Sequence, residues 1–165
     1  MNIDELVAID VHVHLEHDAQ PTDTDEAARK YFGKGVAAQG AQALADYYRS
    51  RKMACVVFTV DERLNGRPHV TNDDVLAFAA ANADIAIPFV SVDPTRGEAA
   101  VAEARRLVAT GAVRGLKLHP PLQQFFPNDR LAYPVYEIFA EARLPVLFHT
   151  GHSGIGTGMP GGGGV

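Results

Sequence analysis

Five short apolar runs recur along the chain, and each is almost continuous in apolar and β-branched residues. This pattern is typical of parallel strands that are covered on both faces. After the first interval, the runs begin about 30 residues apart, the size of a strand–helix unit. The predicted strands cover residues 6–13, 54–60, 85–92, 112–118 and 144–149.

The segments between these runs have helical character. One opens with Thr71 and Asp74, whose three-residue spacing predicts a capping box. Another ends at Gly111, a residue suited to terminating a helix. In the last, Pro134 is compatible with a helix if it falls in the first turn. The predicted helices cover residues 40–52, 71–83, 96–111 and 130–143.

The alternation of strands and helices predicts an α/β fold with a parallel sheet and right-handed crossovers. We interpret it as the (β/α)8, or TIM-barrel, type. Such barrels typically take about 250 residues, so residues 1–165 are expected to form a single partial-barrel domain, truncated after the fifth strand. An open doubly wound sheet is the alternative. Residues 17–39 are interpreted as a loop insertion with a short helix at 24–31, and residues 150–165 as a glycine-rich loop or tail.

Composition narrows the classes of partner. The net charge of −5, with no repeat of basic residues and interleaved aromatics, gives no reason to expect nucleic acid or an anionic membrane surface as a partner. The N-terminus lacks the features of a signal peptide, and no apolar run reaches the roughly 20 residues of a membrane span. A cytoplasmic protein is therefore expected. The single cysteine, Cys55, excludes an intrachain disulfide and predicts a buried thiol in a reducing compartment.

Three histidines end predicted strands. Strand alternation places His12 and His14 on one face, together with Asp10. Such a pair is either two solvated residues or two ligands of a metal ion. His149 ends the fifth strand and is the candidate third ligand, because parallel βα arrays bind ligands at the carboxyl ends of their strands. Neutral imidazoles suit Zn²⁺, our first choice, and also Mn²⁺ or Fe²⁺.

The fourth strand carries two further candidates. Gly115, Lys117 and His119 alternate onto one face, opposite Leu116 and Leu118. A lysine flanked by leucines in a buried strand needs a partner or a function. We favour a substrate-carboxylate anchor over a lysine that reaches for the surface or a metal-bridging carbamate. His119 is expected to line the site, and the two prolines that follow it are expected to stiffen a loop.

The remaining polar candidates are weaker. His17 and His69 are expected to be solvated, whereas His152 is assigned to substrate binding, with a place in a disordered tail as the alternative. Asp61 is expected to cap the turn after the second strand. The glycine-rich end is not a phosphate-binding loop. The chain contains no Gly-x-Ser-x-Gly elbow. No predicted helix opens after the glycine-rich end, so its glycine spacing is not interpreted as a dinucleotide fingerprint.

Three segments, IDVHVH, GLKLHPPLQQFFPND and LPVLFHTG, together resemble the amidohydrolase superfamily. The similarity is to its amidohydrolase-related branch of metal-dependent hydrolases and non-oxidative decarboxylases. This resemblance implies a distorted (β/α)8 barrel with a divalent metal in its mouth, bound by His12, His14 and His149. Family members usually add a histidine after strand six and an aspartate after strand eight, which this sequence does not reach. Lys117 stands where binuclear members carry a carboxylated lysine.

Three functions remain open at this stage. The first is a metal-dependent hydrolase in which metal-activated water attacks an amide, ester or related carbonyl bond of a small molecule. Lys117 and His119 are its catalytic and substrate-binding candidates. Without the strand-eight aspartate, the 165-residue chain alone is expected to be weakly active or inactive. The second is a decarboxylase of an aromatic or muconate-type acid. The third is a non-catalytic metal- or ligand-binding half-barrel, and homo-oligomerisation is left open.

Overall fold

Five parallel strands form one sheet whose spatial order follows the order of the chain. The structure is a computed structural model that describes residues 1–16, 40–62 and 70–150. All five strands occur where the apolar runs predict them, so the predicted parallel sheet is confirmed. They are β1 (Ala8–His14), β2 (Met53–Phe58), β3 (Ala86–Val90), β4 (Gly115–Leu118) and β5 (Val146–Phe148).

Helices connect the strands, as the alternation predicts. Within the described ranges there are five: α1 (Ala41–Ser50), α2 (Asn72–Ala81), α3 (Glu98–Ala109), α4 (Pro120–Gln123) and α5 (Tyr133–Glu141). Single 3₁₀ turns cover Ile3–Glu5, Pro94–Arg96 and Arg130–Ala132. The helix expected at 24–31, in the 17–39 insertion, and residues 151–165 of the expected tail lie outside the described residues.

Local helix signals are confirmed where the structure describes them. The Thr71 hydroxyl accepts a hydrogen bond from the Asp74 amide, and the Asp74 carboxylate accepts one from the Thr71 amide. Gly111 follows α3 with φ of +68°, a conformation that glycine adopts without steric cost. Pro134 is the second residue of α5. The expectation of a loop after His119 was wrong, because both prolines begin the short helix α4, where their missing amide hydrogens cost nothing.

The two faces of the sheet pack into different apolar layers. Leu116 and Leu118 are fully buried in a cluster with Leu107 of α3 and Phe139 of α5. The opposite, inner face carries a separate cluster of Val56, Phe58 and Phe89. Cys55 is fully buried on the helix side, as predicted. Among the described residues, no helix is long and apolar enough to cross a membrane.

A bulge in β1 changes the face on which Asp10 lies. Asp10 pairs with Cys55 and Val13 pairs with Val57, so three residues of β1 advance against two of β2. The extra residue interrupts the alternation of faces. The Tyr48 hydroxyl in α1 donates a hydrogen bond to Asp10 at 2.8 Å. The prediction that Asp10 shares a face with the two β1 histidines was therefore wrong, because the bulge turns its carboxylate towards the helices.

Candidate functional site

Histidines from three strand ends meet on the inner side of the sheet. The ring centroids of His12 and His14, both in β1, are 5.4 Å apart. His12 is also 6.5 Å from His149, which directly follows β5. Since β1 and β5 are the two outer strands of this sheet, such proximity requires the sheet to curl. The chain therefore forms the curved, five-stranded part of a barrel rather than an open sheet.

His119 completes the cluster of rings. It directly follows β4, and its ring stacks on that of His149 with centroids 4.0 Å apart and an interplanar angle of 10°. Its Nδ1 atom accepts a hydrogen bond from the Leu122 amide at 3.3 Å. A neutral ring in this role carries its proton on Nε2. Burial, followed by the nearby His149 and Lys117, lowers the pKa of His119 to about 3, which keeps the ring neutral near pH 7.

Lys117 lies in β4, with its amine next to this cluster of rings. Its side chain is fully buried, and Nζ is 3.5 Å from His12 Nε2 and 4.7 Å from the ring centroid of Phe58. No carboxylate in the described part of the chain forms an ion pair with it. Burial lowers the pKa of Lys117 to about 8. Its neighbours are thus an imidazole and an aromatic face rather than an acid.

Phe58, which the sequence did not single out, forms the floor of the site. The rings of His12 and His14 form T-shaped contacts with its ring, with centroids 5.3 and 4.8 Å apart, respectively. Loss of hydration, followed by Lys117 for His12 and by His12 for His14, lowers the pKa of both histidines. Both side chains keep part of their surface open to solvent. The physical consequence is a set of neutral imidazoles, the form that binds metal ions.

The donor chemistry of the cluster fits a divalent metal, but the nitrogen atoms are not arranged around one point. Within the ranges 1–16, 40–62 and 70–150, no group of three or more potential ligands is close enough to hold an ion. His12 Nε2 faces the amine of Lys117 instead. The ligand roles of the histidines therefore stay predictions, as do the roles of Lys117 and His119.

A model of the amidohydrolase family matches residues 9–163 of the sequence. The chain belongs to the amidohydrolase family. The solved structures that resemble it include the following two. One is described as amidohydrolase II, with 16% identity and a TM-score of 0.60 over 91% of this chain and 52% of the other. The second is an uncharacterised TIM-barrel protein from Bordetella bronchiseptica, with 20% identity and a TM-score of 0.59 over 90% of this chain and 57% of the other.

This amidohydrolase chain spans little more than half the length of those two structures. At these identities they show the fold, which confirms the partial TIM barrel. A search of curated proteins found no match. The resemblance to this family seen in the three histidine- and lysine-bearing segments is confirmed.

Other candidate residues of the amidohydrolase chain are only partly described. His17, His69 and His152 lie outside the described residues. So does most of the turn that Asp61 was expected to cap. In the described part of the chain, the Asp61 carboxylate accepts hydrogen bonds from the amide of Asp93 and the guanidinium of Arg96, at 2.9 and 3.0 Å. It thereby joins the end of β2 to the 3₁₀ turn after β3.

Gln123 is a further residue of this region that the sequence did not single out. Its buried amide joins the ends of β2, β3 and β4. A glutamine two residues after a pair of prolines carries no sequence signal of such a role. Only the fold, which brings these strand ends together, identifies it.

Proposed function

We propose that this chain carries part of the active site of a metal-dependent hydrolase, with His12, His14 and His149 as metal ligands. The observation that carries the proposal is the 6.5 Å separation between the rings of His12 and His149, which come from the two outer strands. Parallel barrels build their active sites at the carboxyl ends of their strands. Membership of the amidohydrolase family supports a metal-assisted hydrolytic chemistry at this place.

The three imidazole ligands favour a metal ion intermediate between hard and soft. Imidazole nitrogens suit Zn²⁺, with Mn²⁺ and Fe²⁺ as alternatives. When bound, such a cation supplies Lewis-acid chemistry, which polarises a carbonyl group and lowers the pKa of water. The chain contributes neutral imidazoles, because the pKa values of His12 and His14 are lowered by loss of hydration. The ring distances of 5.4 and 6.5 Å support assembly of the site by side-chain rotation.

Lys117 and His119 are the proposed catalytic and substrate-binding groups, with His152 as a further substrate contact. The buried amine of Lys117 has no carboxylate ion-pair partner in the described part of the chain, which favours an anionic group of a small substrate as its partner. His119 offers a neutral ring whose Nε2 hydrogen is available to donate to a carbonyl or its developing oxyanion. The proposed reaction is hydrolysis of an amide, ester or related carbonyl bond.

Metal binding tests the proposal directly. Titration of the metal-free chain with Zn²⁺ is expected to give about one bound ion per chain. A His12→Ala/His14→Ala double variant is expected to lose that binding. His69→Ala, which removes a histidine not assigned to the site, is the matched control and should bind as the wild type does. Equal Zn²⁺ affinity in the double variant and the wild type would overturn the ligand assignment.

Product analysis separates the reaction types. With Zn²⁺ present, cleavage of small amides and esters that carry a carboxylate should take up water, at the low rate expected of a chain without the strand-eight aspartate. Release of CO₂ from an aromatic or muconate-type acid, without such cleavage, would favour the decarboxylase instead.

A further inference from the structure

The amide of Gln123 is buried at the place where three strands end. The residue is 3% exposed and closes helix α4. Its Oε1 atom accepts a hydrogen bond from the His119 backbone amide at 2.8 Å. Its Nε2 atom donates to the Asp61 carbonyl at 3.0 Å, with the Val92 carbonyl and Ser91 Oγ at 3.4 and 3.5 Å. One side chain thus connects the end of β4 to the ends of β2 and β3.

The burial of this amide makes its geometry specific. A buried donor or acceptor without a partner is costly, so Gln123 holds its position only while all three strand ends stay in register. The His119 amide hydrogen bond is short, and both residues of the pair are buried. The backbone of His119 is therefore fixed relative to the rest of the sheet.

His119 is held on its other side by the same helix. Its Nδ1 atom accepts a hydrogen bond from the Leu122 amide, which fixes the ring against α4. That ring stacks on His149 at 4.0 Å with nearly parallel planes. A displacement of the His119 backbone would move the surface on which His149 rests.

We propose that Gln123 is a positioning residue of the candidate site, which fixes His119 and, through the stacked ring, orients His149. The consequence for metal binding rests on the proposed function. The orientation of the His119 and His149 rings is independent of the proposed function, because it is a property of the metal-free chain. Outer residues that orient metal ligands typically change metal affinity by about 10- to 100-fold when substituted.

A double-substitution cycle distinguishes positioning from general stabilisation. Gln123→Met keeps the length of the side chain but removes its hydrogen bonds. It is compared with His119→Ala and with the combined variant. The matched control is Asn82→Leu, because Asn82 is also a buried amide, with a hydrogen bond to the Phe78 carbonyl. It lies before β3, near the amino ends of the strands, whereas Gln123 lies at their carboxyl ends.

The probe is Co²⁺, whose visible absorption bands report ligand geometry. Gln123→Met is expected to weaken Co²⁺ binding by about 10-fold or more and to alter the bands, whereas Asn82→Leu should change neither. In the His119→Ala background, Gln123→Met should cause little further loss. In the metal-free protein, NMR signals of the His119 and His149 rings should shift in Gln123→Met and stay in place in Asn82→Leu.

Two results would overturn the positioning role: unchanged His149 ring signals in Gln123→Met, or an equal loss of Co²⁺ affinity with and without His119. If the wild type binds no Co²⁺, the proposed metal function fails, and the ring signals alone decide the role of Gln123. Should Gln123→Met not fold, Gln123→Glu replaces it. Glutamate keeps an oxygen for the His119 amide, so a smaller shift of the His149 signals is expected, and no shift would contradict the proposal.

Discussion

The amine nitrogen of Lys117 lies 3.5 Å from Nε2 of His12, one of the proposed metal ligands. The lysine is fully buried, and its amine also lies over the ring of Phe58, 4.7 Å from the ring centroid. An ammonium ion is costly to bury without a carboxylate. The metal-free chain therefore holds a group whose charged form is destabilised by its surroundings.

Replacing this lysine by an apolar side chain of similar length should stabilise the metal-free protein. Burial lowers the pKa of Lys117 from 10.5 to about 8, which corresponds to a penalty of about 3 kcal/mol for the charged form. We expect Lys117→Met to raise the free energy of unfolding at pH 7 by up to that amount. Urea denaturation in the presence of a chelator measures it. Lys52→Met, at an exposed lysine, is the control and should have little effect.

The stability gained by Lys117→Met should depend on pH. Between about pH 8 and 10.5 the unfolded state still binds the lysine proton while the folded state does not, so wild-type stability should rise with pH in this window. Lys117→Met lacks this contribution. Its advantage over the wild type should therefore be greatest below pH 8 and shrink towards pH 10.5. An advantage that is constant across this range would show that the amine is not the cause.

The fold was predictable because its signals are local and repeated. Apolar runs separated by helical segments specify the order of strands and helices, and capping residues such as Thr71 mark helix starts. The positions of His12 and His149 at strand ends followed from the same pattern. Their proximity did not, since it depends on the curl of the whole sheet. Asp10 was predicted on the wrong face of β1 because no local sequence signal indicates the bulge in that strand.

The hydrogen bond between Tyr48 and Asp10 should stabilise this bulge. Burial, followed by the bond to Asp10, raises the pKa of the Tyr48 hydroxyl, so it stays a donor across the accessible pH range. Tyr48→Phe removes the donor and leaves the partly buried carboxylate with the His12 amide as its hydrogen-bond donor among the described residues. A loss of about 1 kcal/mol in the free energy of unfolding is expected from denaturation curves. Tyr47→Phe, at the exposed neighbouring tyrosine, should cost clearly less; equal losses would argue against the bond.

Cys55 should be unreactive in the folded protein. It is fully buried, and burial, followed by the nearby Asp10, raises the pKa of its thiol to about 12. Because the thiolate is the reactive form, Ellman's reagent at pH 8 should label the native chain far more slowly than the urea-unfolded chain. The chain has a single cysteine, so the signal belongs to this residue alone. Rapid labelling under native conditions would contradict its burial in β2.

Gly115 should tolerate no side chain while Phe89 keeps its place. The two residues are paired across β3 and β4, and a Cβ atom at Gly115 would come within 2.4 Å of the Phe89 ring. Such crowding in a packed interior costs about 1–3 kcal/mol. We therefore expect Gly115→Ala to lower the free energy of unfolding by that amount.

A double-substitution cycle shows whether the aromatic ring is the cause. Phe89→Leu removes the ring atoms that the new methyl group would meet, so Gly115→Ala should cost about 1 kcal/mol less in that background. Gly111→Ala is the control: nothing lies within 4 Å of a Cβ there, but φ is +68°. Its cost, about 1 kcal/mol from the left-handed backbone alone, should be the same with either residue at position 89. If the cost of Gly115→Ala is equally insensitive, the glycine is required by its backbone and not by the ring that packs over it.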